Sequence, residues 1–194
     1  DNCSGIGTAT TTSPLNYNNQ GTYTITWRYT DAAGNVSSAS PVLTIIIDGP
    51  VTVTTNADAG ADATIDGSLG VDLADGGGLS LREAFAYVTA SGTVDFAVGL
   101  NGATITLGAP LTVPAGITLD TDALGTATIT GSTFTLAGSL SVTNGSGDQL
   151  TLGSELSGAG ALTKTGAGRL ILTNTNNNSH SGDVTVTAGE LWIG

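Results

Sequence analysis

The chain has 194 residues and a formal net charge of −12, with 16 acidic side chains against only 4 basic ones. Nucleic acid and anionic lipid both require clustered Lys and Arg, so neither is expected as a partner. An apolar content of 39% excludes the disordered class, and no apolar run reaches the length of a membrane span, so no direct membrane insertion is expected.

Residues 1–48 alternate with a period of two. Tyr23-Thr24-Ile25-Thr26-Trp27-Arg28-Tyr29 reads as a strand, Asp31-Ala32-Ala33-Gly34-Asn35 as a turn, and Val42 to Ile47 as a second strand, together a hairpin. Tyr23, Trp27 and Tyr29 supply much of its apolar area. Forty-eight residues are too few for a self-sufficient sandwich. Cys3 is the single Cys, so a free thiol and a partner outside this stretch both stay open. DNCSG at 1–5 and GTYTITWRYTDAAGNVSSASPVLTIII at 21–47 resemble the second half of a hyalin-repeat-type, immunoglobulin-like domain. The resemblance implies a partial Ig-like β-sandwich without its first strands. The family's second Cys is absent here, with Pro41, Val42 and Leu43 nearby.

Residues 49–92 form an acidic junction. After Val51-Thr52-Val53-Thr54 come Asp58, Asp62, Asp66, Asp72 and Asp75 among Gly and Ala. Carboxylates in such a loop suit Ca²⁺, although their spacing is not that of an EF-hand or a GGxGxD repeat. A solvated loop of Asp turns is the equal alternative. Asp31 and Asn35 read as an Asx turn rather than a calcium pair.

The one helix expected is Ser80 to Tyr87, where Ser80 and Glu83 make a capping box and Leu81, Ala84, Phe85 and Val88 share a face. LSLREAFAYV at 79–88, then GTVDFAV and the ITL at 105–107, resemble the CSLREA motif of large bacterial surface proteins, with Leu79 in place of its Cys. That resemblance implies a helix capping a right-handed parallel β-helix. Arg82 and Glu83 look like a catalytic pair. Their structural reading is stronger, with Glu83 capping and Arg82 bonding a loop carboxylate or carbonyl.

Residues 93–194 carry apolar pairs between Gly, Pro and Asn corners: Ile105/Leu107, Leu111/Val113, Ile117/Leu119, Thr128/Ile129, Phe134/Leu136, Leu140/Val142 and Leu150/Leu152. Coils of roughly 20 residues with three short strands fit this spacing. Residues 153–194, with GAGALTKTGAGRLILTNTNNNSHSGDVTVTAGELWIG at their end, resemble the autotransporter-associated β-strand repeat of β-helical passengers and adhesin stalks.

For catalysis, Asp120 and Asp122 lie two apart and have no His or basic residue near them in sequence. His180 reads as a solvated loop residue, and Trp192 as core or interface rather than a sugar platform. The chain is therefore expected to be all-β: a partial Ig-like sandwich, an acidic junction with a short capping helix, then a right-handed parallel β-helix. Its expected role is a secreted, bacterial cell-surface structural or adhesive protein with no enzymatic activity. The expected partners are other copies of itself, flanking repeats of a longer chain, or a surface glycan. The alternatives are a glycan-degrading β-helix enzyme and a passive calcium-stiffened spacer. Asp1 in place of Met, and the uncapped strand pattern of Leu191-Trp192-Ile193-Gly194, suggest a segment of something longer.

Overall fold

The computed structural model describes residues 8–11, 21–31, 34–36, 42–47, 49–59, 64–65, 67–73, 76–122, 124–174 and 178–194. Cys3 lies outside them. The chain divides into two compact units, Asp1–Gly49 and Pro50–Gly194.

In the first unit, β1 (Thr8–Thr11), β2 (Gly21–Thr30) and β3 (Val42–Ile47) form an antiparallel sheet in the order β1-β2-β3. Gly21 pairs with Ile47 and Thr26 with Val42, while Thr8 pairs with Thr30 and Thr11 with Trp27. At the far end of β2, where an Asx turn was expected, Asp31 instead bonds Asn35 four positions on. Asp31 Oδ1 accepts the Asn35 amide at 2.8 Å, and Asp31 Oδ2 accepts Asn35 Nδ2 at 2.9 Å. Gly34 takes φ +88° there, which a side chain would resist.

The second unit is a parallel β-solenoid of about four turns. Its elements are β4 (Val51–Val53), α1 (Leu69–Asp72), α2 (Leu81–Tyr87), β5 (Thr93–Phe96), β6 (Ala103–Leu107), β7 (Leu111–Val113), β8 (Ile117–Asp120), β9 (Thr126–Gly131), β10 (Phe134–Leu136), β11 (Leu140–Thr143), β12 (Gln149–Leu152), β13 (Leu156–Ser157), β14 (Leu162–Thr165), β15 (Arg169–Leu172), β16 (Val184–Val186) and β17 (Glu190–Ile193). They build three walls, ordered β16-β14-β11-β8-β5-β4, β17-β15-β12-β9-β6 and β13-β10-β7. The first wall already includes β4, which pairs in parallel with β5. A second short helix, α1, accompanies the one expected. No helix among the described residues is long and apolar enough to cross a membrane.

From β4 to β15 the short strands bury alternate residues, and parallel register stacks those residues into inward columns. Val51, Val94, Leu119, Val142, Lys164 and Val186 form one column. Ile105, Ile129, Leu152, Leu172 and Ile193 form another. Interior members are nearly solvent-free, and a fully buried Leu, Ile or Val contributes roughly 1.5–3 kcal/mol. No three-residue strand could collect that alone, so stacking is what makes the strands stable. In β9 the inward pair is Ala127 and Ile129, with Thr128 turned outward. Strict alternation overrides the expected Thr128/Ile129 pair.

Two corners show why Gly recurs. Gly158 has φ +94°, and a Cβ there would lie 2.3 Å from the Leu136 carbonyl oxygen of the preceding coil. At Gly160 a Cβ would lie 1.9 Å from the Gly138 oxygen. Adjacent coils can close at these corners only without side chains.

Candidate functional site

At the β4 end, α2 begins as its sequence dictates. The Glu83 amide donates to Ser80 Oγ at 3.2 Å, and the Ser80 amide donates to Glu83 Oε2 at 2.8 Å. Leu81, Ala84, Phe85 and Val88 are buried, and Phe85 reaches Phe134 with ring centroids 6.0 Å apart. The helix is thus sewn into the core by its apolar face.

Arg82 fixes the opposite face. Its Nε donates to Asp58 Oδ1 at 2.8 Å and its Nη2 to Asp58 Oδ2 at 2.7 Å, a bidentate pair. Nη2 also donates to the Ala109 carbonyl and Nη1 to the Pro110 carbonyl. The Gly108 amide donates to Asp58 Oδ2 at 2.9 Å. One ion pair therefore joins the junction loop, α2 and the β6–β7 corner. The expected loop carboxylate for Arg82 is Asp58.

The five proposed calcium ligands do not share one environment in what is described. Asp58 faces Arg82. Asp72 is buried in α1 beside Tyr87, whose hydroxyl is pushed up to about 12 by loss of solvent first and the Asp72 carboxylate second. Asp62, Asp66 and Asp75 lie outside the described residues. Among the described residues no three His, Cys, Asp or Glu side chains converge as a metal site.

Asp120 Oδ1 accepts the Asp122 amide at 2.9 Å, a local turn bond. The Asp122 carboxyl is held above its ordinary range by partial burial, then by Asp120 and Asp148. His180 is half-buried rather than solvated, with Nε2–H donating to the Gly160 carbonyl at 2.7 Å. Trp192 lies on the outer face, 51% exposed, with the Arg169 guanidinium 3.8 Å from its ring centroid. It is not a core residue.

Sequence reasoning missed Lys164. Its side chain is completely buried, and its ammonium donates to the carbonyls of Thr165, Gly166 and Ala188, the last in the following coil. Burial holds its pKa below the ordinary value, with Asp122 opposing. The alternation Leu162, Lys164 was the available signal, since it gives both residues the same inward phase. Beyond β15 the third wall continues without a regular strand among the described residues. The Ser179 and Ser181 amides donate to the Leu156 and Gly158 carbonyls, and the Leu156 amide donates to Asn178 Oδ1 at 2.8 Å.

This coil, from β14 to β17, can be recognised. Residues 162–193 match the family model of the passenger-associated transport repeat. No curated protein and no solved structure matches the chain. Within the matched residues the Lys164 side chain is fully buried, Gly182 packs on Gly160 of the coil before, and Arg169 pairs with Glu190 of the next coil. The repeat is thus one rung of the solenoid plus the strands of the next.

Proposed function

We propose that the chain is a segment of a secreted, cell-surface passenger whose role is structural and adhesive rather than enzymatic. The observation that carries this reading is the coincidence of the transport repeat with regular parallel rungs, β14 to β17, on a continuous apolar lumen. Backbone ladders running along the solenoid axis stiffen such a rod. End-to-end association with other copies or flanking repeats is part of the proposal.

Immunogold labelling of intact source cells, combined with negative-stain microscopy of the purified chain, tests the reading. Surface label and rods or filaments are expected. Label confined to the cell interior would overturn it. A calcium-stiffened junction stays in the proposal through Asp62, Asp66 and Asp75, and a melting scan in EDTA tests it. A midpoint unmoved by chelation would remove it.

A further inference from the structure

We infer that the outer face of the β12–β15–β17 wall binds a neutral glycan. A groove of about 200 Å³ opens there, lined by Gly147, Asp148, Gln149, Gly168, Arg169 and Glu190. Gln149, Arg169 and Glu190 stand in register on successive coils, one outward side chain per rung. Their spacing along the axis is set by the strands at about 4.8 Å.

Arg169 is held in place before any ligand arrives. Nε donates to Glu190 Oε2 at 2.9 Å, and the guanidinium plane is supported by Trp192. Its two terminal nitrogens have no hydrogen-bond partner among the described residues. A guanidinium fixed in this way presents its donors at little further entropic cost. Gln149, which lines the groove, makes one long 3.5 Å contact to Thr151 through Nε2 among the described residues, and its side-chain carbonyl oxygen can only accept. Gly147 and Gly168 among its lining residues carry no side chain to fill the groove.

Donors and acceptors in one shallow groove suit a ligand that carries both, as sugar hydroxyls do. An anion is opposed by Asp148, Glu190 and the net charge of −12. An apolar ligand would strand the polar walls. The groove lies on an outer wall of the solenoid. A passenger that bound no sugar would still be a structural rod.

The test uses saturation-transfer NMR on the whole chain with cellohexaose, mannohexaose and a galactohexaose, and with polygalacturonate as the anionic comparison. Saturable transfer from at least one neutral hexasaccharide is expected, with none from polygalacturonate. Arg169→Gln and, separately, Gln149→Ala should each weaken binding roughly tenfold, the loss of one hydrogen-bonded group. Thr163→Ala, on another wall, should bind as wild type. If Arg169→Gln fails to fold, Gln149→Ala decides alone. The inference is overturned if no neutral hexasaccharide binds, if polygalacturonate binds instead, or if folded groove variants bind unchanged. The rod seen by microscopy would survive any of these results.

Discussion

Lys164 directly succeeds Val142 in an inward column that is otherwise entirely aliphatic. A charge in that column is tolerated because its ammonium ends among three carbonyls at the wall's corner rather than in the lumen. The four-carbon stem packs like an aliphatic side chain while the head satisfies backbone oxygens.

Lys164→Met should therefore be close to neutral, within about 1 kcal/mol. It loses the ammonium but also removes a desolvated charge, and the corner carbonyls of Gly166 and Ala188 are open enough for water to replace it. Lys164→Ala should cost about 3 kcal/mol, because it leaves a cavity as well. The two also differ with pH. Folding lowers the Lys164 pKa below 10.5, so the unfolded chain holds that proton more tightly. Stability from this group then rises with pH through the folded value and levels off near 10.5. Wild type should gain on Lys164→Met as pH climbs towards that limit, read from paired thermal melts.

Tyr87 has the opposite sign. Its pKa is raised from 10.0 to about 12, so the fold favours the neutral phenol. That contribution is complete below pH 10 and lost as pH rises from there towards 12. Tyr87→Phe should flatten this alkaline decline in the melting midpoint.

Breaking the Arg82–Asp58 pair tests the cap. Arg82→Met leaves a buried carboxylate with only the Gly108 amide and should cost about 3 kcal/mol in denaturant unfolding. Arg82→Lys should recover little, since a point charge cannot reproduce the bidentate fork. A cycle with Asp58→Asn should show coupling above about 1 kcal/mol, and additivity would mean the two residues act independently.

Gly160→Ala places a methyl where the Gly138 oxygen lies 1.9 Å away. The two coils must part, at a cost of about 3 kcal/mol. Hydrogen exchange should show the loss at β14 and β16 first. Gly99→Ala, with ordinary φ and open space around it, should change stability by less than about 0.5 kcal/mol.

The features legible in the sequence were those governed by near neighbours. Ser80 and Glu83 are three residues apart, so the capping box could be read directly. The apolar pairs and Gly corners announced the coils for the same reason. Arg82 and Asp58 are 24 positions apart, and only the fold could select that carboxylate among five. His180 missed its assignment because Gly160 reaches it from the coil before. Lys164 drew no expectation, although its spacing from Leu162 puts it in the inward phase. Thr128 was misplaced because an apolar partner was sought without testing the alternation at Ala127.

The four basic residues have a further consequence, for proteolysis. Trypsin-like proteases need an Arg or Lys that can be drawn into an extended, accessible strand. In the solenoid Arg82 is tied to Asp58, Lys164 is sealed in the lumen, and Arg169 is held between Trp192 and Glu190. Cleavage at any of the three requires a rung to open first, so the rate of digestion will follow local unfolding rather than the number of sites. With 4 basic residues in 194, such enzymes have few side chains to grip.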